Sequence, residues 1–311
     1  MTIAIFLCSL LAAMALGVPI AFSLLLCGVA LMWHLNIFDA QILAQNVIEG
    51  SNSFPLLAVP FFMLAGEIMN AGGLSRRIVN FALSLVGHIK GGLGYVAIMS
   101  AVIMAALSGS AVADAAALSA LLLPMMVAAG HDKARSAGLL ASASIIAPII
   151  PPSIAFVIFG VAAGVSISKL FLAGIVPGLL LGVCLWITWG VLVRREQVAA
   201  PARQSRAQVL AAFKDATFAL VLPVIVVVGL KFGVFTPTEA AVVAAVYALF
   251  ISTVVYGELK IGQLYGLFLA AIKTTSVIMF LVAAAMVSAW LITVAQLPAQ
   301  LVELLQPLLD R

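Results

Sequence analysis

An apolar run from about Leu93 to Ala129 is interrupted at its centre by Ser108-Gly109-Ser110 and, four residues on, by Asp114. No other charged side chain falls in residues 93–107 or 111–129. Small polar residues in the middle of a membrane-grade segment weaken a helix and expose its amides and carbonyls. Hydrocarbon offers those groups no water, so such a break must be buried in protein or line a wet cavity. Secondary transporters build ion and substrate sites from broken or re-entrant helices of this kind.

Charge content sets the class. Only 8% of the residues are charged and 65% are hydrophobic, whereas a soluble domain carries roughly a quarter charged residues. An all-α polytopic membrane protein follows, with the lipid bilayer as its solvent. The net charge of +4 is spread over loops, which reads as topology information and not as a nucleic-acid surface. Cys8, Cys27 and Cys184 lie in apolar runs without a C-x-x-C pair, and His34, His88 and His131 stand far apart at segment ends. No transition-metal site is expected from them. The first basic residue is Arg76, so the apolar N-terminus lacks the positive region of a signal peptide and is expected to remain as a membrane segment.

Residues 3–33 are apolar around Gly17-Val18-Pro19 and read as one kinked span or two short ones. A span is predicted over 54–70. Residues 74–90 place Leu74, Ile78, Phe81, Leu85 and Ile89 on one stripe near Arg76, Arg77 and Lys90, the pattern of an interfacial helix. Residues 136–164 are apolar but contain Pro148, Pro151, Pro152 and Ser153; residues 170–193 end in Trp186, Trp189, Arg194 and Arg195, read as an aromatic belt with a basic flank. Further spans are predicted over 216–230, 239–255 and 264–295. Three parts result: 1–193 with the spans, interfacial helix, hairpin 93–129 and broken helix 136–164; a basic cytoplasmic loop 194–215; and 216–311.

Loop charge constrains the break. Arg76, Arg77 and Lys90 mark one cytoplasmic loop and Lys133 and Arg135 another, so the chain between them crosses an even number of times. The arm 93–107 is short for a span. A re-entrant hairpin turning at Ser108-Gly109-Ser110 satisfies both constraints; two thin, tilted spans are the alternative. Residues 53–87 also resemble 276–310 at an offset of 223, with Met63 on Met286, Leu74 on Leu297, Val79 on Val302 and Leu85 on Leu308. On that offset the counterpart of Ser108 falls at position 331, beyond Arg311.

Three constellations can carry chemistry. At the hairpin tip one arm ends in free carbonyls and the next begins with free amides. Carbonyls with the Ser108 and Ser110 hydroxyls suit a hard cation such as sodium, and amides suit a carboxylate. Gly109 permits the turn, and Asp114 lies one turn into the second arm. The alternative is that these small residues only pack helices. The second break is Pro148-Ile149-Ile150-Pro151-Pro152-Ser153, with Pro151, Pro152 and Ser153 as its site candidates; there missing donors leave carbonyls unpaired, either as cation ligands or as a plain kink. The third is Thr236-Pro237-Thr238-Glu239, where Thr238 is expected to cap a helix beginning at Glu239; Thr236, Thr238 and Glu239 are weaker site candidates. A serine hydrolase would need a base inside the membrane, and no histidine is well placed; Lys273 is far along the chain. No phosphate loop of the G-x-x-x-x-G-K-[ST] form is present.

The segments Val18-Pro19-Ile20-Ala21-Phe22, Val59-Pro60-Phe61-Phe62-Met63-Leu64-Ala65-Gly66, Ser108-Gly109-Ser110-Ala111-Val112-Ala113-Asp114, Ile150-Pro151-Pro152-Ser153 and Phe235-Thr236-Pro237-Thr238-Glu239-Ala240-Ala241 occur in this order. Together they resemble the DctM-type large membrane subunit of tripartite ATP-independent periplasmic (TRAP) transporters. The resemblance covers the whole chain. It implies a multi-pass protein of the bacterial inner membrane, not an enzyme, that imports carboxylates such as C4-dicarboxylates or sialic acids with sodium as coupling ion and no other cofactor. It implies a DctQ-type small membrane subunit and a DctP-type periplasmic binding protein as partners. It further implies an elevator-type secondary transporter with inverted repeats, in which Ser108, Gly109 and Ser110 form the first hairpin tip and Pro151, Pro152 and Ser153 the facing unwound segment. Family members run roughly a hundred residues further and carry a second hairpin there, so on this resemblance the second repeat is incomplete. The other readings are an anion–sodium symporter of another elevator family, working without a binding protein, and an intramembrane serine hydrolase.

Overall fold

The computed structural model describes residues 2–194, 198 and 202–309; the expected basic flank at Arg195 lies outside them. Every regular element among the described residues is a helix, as an apolar environment demands, because a helix pairs its backbone groups within one segment. Six helical stretches are long and apolar enough to cross a membrane: 54–71, 111–128, 167–193, 206–231, 237–255 and 261–294. Two compact units form, one from residues 1–54 with 273–311, the other from 55–272.

In the first unit, α1 (Thr2–Ala15) and α2 (Ile20–His34) pack as a pair joined through Gly17-Val18-Pro19. The apolar run 3–33 is therefore two short helices. Pro19 cannot continue α1, since it lacks an amide donor. The amphipathic α3 (Ala40–Ser51) starts at Asp39, whose carboxylate accepts from the amides of Gln41 and Ile42. Leu31 and Met32 of α2 bury themselves with Val287 and Leu291 from the long α13 (Ile261–Val294), and Ala295 and Leu297 complete this core. The last helix, α14, covers Leu297–Leu309.

The second unit holds α4 (Ala58–Ala71), α5 (Leu74–Val86), α6 (Gly92–Ser108), α7 (Ala111–Ala128), α8 (Lys133–Ser144), α9 (Ile154–Ala162), α10 (Ile167–Val193), α11 (Arg206–Lys231) and α12 (Pro237–Phe250), the last continuing into a π turn at Ile251–Val255. Where the hydrophilic composition suggested a loop to residue 215, the chain is helical from Arg206. Ser205 sets that start with a full capping box: its Oγ accepts from the Gln208 amide while Gln208 accepts from the Ser205 amide.

The packing of α4 and α12 fixes the frame. α12 lies along α4, with Ala240, Ala241, Ala244, Ala245 and Ala248 buried on one face. A side chain at Gly72, just past α4, would strike Ser252, just past α12; the two helices therefore run side by side in the same direction. The loops leaving them are tied by charge. Arg77 bonds Glu258 at 2.7 Å and Asp215 at 3.1 Å, and Arg76 bonds Glu258 at 2.9 Å. The Arg77 guanidinium also stacks 3.6 Å from the centre of the Tyr256 ring. Burial works against its charge, but the two carboxylates outweigh burial and leave its pKa above the ordinary value.

Two expectations shift. The buried ridge of α5 is Leu74, Ser75, Ile78, Val79 and Ala82, while Ile89 is exposed; the stripe is rotated toward α6 and α11, on which α5 packs. Trp189 is not a belt residue. It is 1% exposed, and its indole donates to the Gly91 carbonyl at 2.9 Å. Its ring fills the space left by Gly94, which locks α10 to the base of α6.

The proposed repeat has a local backbone counterpart. α5 and α14 begin at Leu74 and Leu297, 223 positions apart, and each follows a residue in the left-handed region, Gly73 at φ 76° and Gln296 at φ 51°. Leu74 and Leu297 are both buried, but Val302 is exposed where Val79 is buried. The likeness is thus strongest at the link between span and amphipathic helix.

Candidate functional site at the hairpin tip

α6 and α7 pack on each other and are joined by Gly109 and Ser110 alone, so the break is a tight helical hairpin. Gly109, at φ 59°, ends α6 in a conformation that costs side-chain-bearing residues roughly 1–2 kcal/mol. Ser110 then caps α7, its Oγ accepting from the Ala113 amide at 3.4 Å. Among the described residues no amide of Gly109 or Ser110 returns to the last turn of α6, which leaves that end's carbonyls open.

The tip is tied by a short polar chain. The Ser110 amide donates to Ser108 Oγ at 3.3 Å, and Ser108 Oγ donates to Asp114 Oδ1 at 2.5 Å. Asp114 is fully buried, and its Oδ2 has no hydrogen-bond partner among the described residues. A buried carboxylate oxygen with nothing to accept from is costly. Beside it, Val112 is 82% exposed; the tip thus has a buried polar interior and an outward-facing edge.

The second break meets the first. α8 ends at Ser144, and tight turns carry the chain to the cis Pro151-Pro152 bond before α9 begins. Proline supplies no amide, so the helix cannot pass through. Ser153 is fully buried and bonded both ways: its Oγ donates to the Pro148 carbonyl at 2.5 Å and accepts from the Phe156 amide at 3.2 Å. A Cβ at Gly109 would run into the Pro152 carbonyl oxygen and come within 3.3 Å of the Ile154 amide nitrogen. Hairpin and unwound segment therefore touch backbone to backbone. Gly66, in the middle of α4, supplies the remaining wall, its Cβ position 3.7 Å from Ser108 Cβ. The N-termini of α7 and α9 and the C-terminus of α6 converge here. Dipole ends of both signs are thus available, positive for a carboxylate and negative for a cation.

The match to known proteins now decides the family. Residues 7–311 match the family described as tripartite ATP-independent periplasmic transporter, DctM component. This chain belongs to the TRAP transporter large permease family. With its six long apolar helices it is a multi-pass protein of the bacterial inner membrane. Among its relatives, the 2,3-diketo-L-gulonate TRAP transporter large permease protein YiaN of Escherichia coli is 56% identical over 100% of this chain and 73% of its own length. The sialic acid TRAP transporter large permease protein SiaM of Vibrio cholerae is 39% identical over 92% of this chain and 67% of its own. The C4-dicarboxylate TRAP transporter large permease protein DctM of Pseudomonas aeruginosa is 41% identical over 82% of this chain and 60% of its own.

In this TRAP permease the third constellation does not join the tip. Thr236, and not Thr238, caps α12, because Pro237 is well suited to the first helical position and sets the start two residues earlier. Thr236 Oγ1 accepts from the Glu239 amide at 3.3 Å, and Glu239 Oε2 accepts from the Thr236 amide at 2.7 Å. Thr238 is buried on the face α12 turns to α4. Counted from the shared end at Gly72 and Ser252, this cap lies about 15 Å farther along the axis than Gly66. Gly66 is the site member that residue-type reasoning passed over, while the Pro148 carbonyl, expected to be unpaired, accepts from Ser153. The available signal for Gly66 was a lone glycine inside an apolar span, which marks close approach of another backbone.

Proposed function

We propose that this TRAP permease chain couples sodium to carboxylate import through the hairpin tip. The carrying observation is Asp114: a fully buried carboxylate with one oxygen bonded to Ser108 and the other unpartnered. Sodium is a hard cation that takes oxygen ligands. Asp114 Oδ2, Ser108 Oγ and the open carbonyls at the end of α6 supply that chemistry, with the Pro152 carbonyl against Gly109. The positive ends of α7 and α9 favour a carboxylate beside the cation.

The solutes in the relatives' names point the same way, since diketogulonate, sialic acid and C4-dicarboxylates are all carboxylates. The chain works with a DctQ-type small membrane subunit, and a DctP-type periplasmic protein delivers the solute. The hairpin enters from the cytoplasmic side and moves with its transport domain in an elevator-type cycle. Ser108 acts as a ligand and as a hydrogen-bond donor to the Asp114 carboxylate, the role a transporter site asks of it.

Uptake in proteoliposomes carrying the complete transport system tests this. Ser110→Ala and Pro152→Ala are expected to raise the sodium concentration needed for half-maximal uptake severalfold while membrane insertion is unchanged. Unchanged sodium dependence in both variants refutes the site.

A further inference from the structure

Away from the hairpin tip, a cavity of about 630 Å³ opens between the second half of α5 and the first turns of α11. Its volume is in the range of small-molecule sites, and its wall is of two kinds. Phe81, Leu210 and Phe213 form an apolar floor, and Arg203, Arg206 and His88 supply the polar end. No acidic residue is among the described residues that line it. Arg203 and Arg206 make no ion pair among the described residues, in contrast to Arg76 and Arg77. His88 Nδ1 is buried and has no hydrogen-bond partner there. A smaller cavity of about 180 Å³ shares Ser84, His88 and Gln204 and extends this polar end.

Position selects among anions. Arg206 is the first residue of α11, which carries Lys214 and Asp215 two to three turns in and is uncharged from there to Lys231. The basic end of the cavity thus stands at the start of this helix, and the apolar floor at Leu210 and Phe213 lies one to two turns along it, just before the Arg77–Asp215 pair and beside the amphipathic α5, at the level of the membrane surface. A small soluble anion would satisfy the arginines but leave the floor bare. An amphiphile with a phosphate head and acyl chains satisfies both, and basic pockets beside membrane helices bind such headgroups.

We propose that this cavity is a binding site for an anionic phospholipid of the bilayer. Its phosphate is held by Arg203 and Arg206, with His88 as a further polar contact, and one acyl chain lies along Phe81, Leu210 and Phe213. The site is independent of sodium and of the transported solute.

Native mass spectrometry of the purified chain, titrated with phosphatidylglycerol and phosphatidylcholine, tests it. The wild type should retain phosphatidylglycerol preferentially. With each basic residue contributing about 1 kcal/mol, Arg203→Gln with Arg206→Gln should weaken phosphatidylglycerol binding about thirtyfold and abolish the preference. Leu210→Trp, which fills the floor and keeps both charges, should also lose the lipid; Lys169→Gln, on α10, should not. These substitutions are at exposed positions, and unchanged thermal unfolding in a zwitterionic detergent verifies that the variants fold. Unchanged phosphatidylglycerol retention in the double variant overturns the proposal, as does full retention in Leu210→Trp. Displacement of the lipid by an equal concentration of inorganic phosphate would also overturn it, marking a site for a soluble anion.

Discussion

Gly109→Ala is the most informative single-atom change at the tip. Two costs add. At φ 59° the backbone is in the left-handed region, where a Cβ costs about 1–2 kcal/mol. The new methyl also meets the Pro152 carbonyl oxygen and sits 3.3 Å from both the Pro152 carbonyl carbon and the Ile154 amide nitrogen. These are backbone atoms, pinned on one side by the Ser153 cap and on the other by the two prolines. The neighbour cannot rotate away as a side chain would, and overpacking of that kind costs about 1–3 kcal/mol. A total of about 2–5 kcal/mol is expected, relieved partly by withdrawal of the tip from the unwound segment. Gly138→Ala in α8 is the control, because nothing lies within 4 Å of its Cβ position. Chemical or thermal unfolding in detergent, paired with sodium-driven uptake in proteoliposomes, reads both consequences. Gly109→Ala should lose stability and at least tenfold in uptake, and Gly138→Ala should lose neither. If Gly109→Ala behaves like Gly138→Ala, the contact between hairpin and unwound segment is not as described.

Two further substitutions separate scaffold from site. Arg77→Gln should destabilise the second unit by about 2 kcal/mol in unfolding experiments, between the cost of breaking a buried pair and that of a surface one, because Arg77 is 12% exposed and its partners 27% and 54%. Arg77→Lys should recover only part of this, since an ammonium cannot reproduce the forked contact with two carboxylates. Thr236→Ala should cost about 1 kcal/mol through loss of the helix cap, and Thr236→Ser close to nothing. Neither Thr236 variant should alter sodium dependence, since that cap lies well away from the tip; a shifted sodium requirement in Thr236→Ser would return it to the site.

The parts of the site legible in sequence are those where residue type breaks a membrane rule. Ser108-Gly109-Ser110 and the tandem prolines stand out because an apolar helix has no reason to carry them, and the two breaks do meet. That they face each other was implied by the family resemblance and not by the residues themselves; the backbone approach at Gly109 and the wall at Gly66 were not legible, because they depend on residues far along the chain. Local signals also misled where two of them competed. Thr238 has the right chemistry for a cap, but Pro237 fixed the helix start and gave the role to Thr236. Trp189 sits where belt residues sit, yet the gap at Gly94 drew it into the interior. Residues 206–215 looked like loop by charge, and the capping pair Ser205 and Gln208 was the overlooked sign of a helix start.

Sodium binding to the purified chain, wild type against Asp114→Asn, tests the central claim most directly. The substitution keeps the shape and an acceptor for Ser108 but removes the charge. Thermal unfolding across a sodium titration, with potassium holding ionic strength constant, reads the linkage: a bound ion stabilises by about 2.7 kcal/mol at a hundred times its dissociation constant. The wild type should gain stability with sodium and not with potassium, and Asp114→Asn should gain none. An equal sodium-dependent gain in Asp114→Asn, or none in the wild type, would contradict a cation site at the hairpin tip.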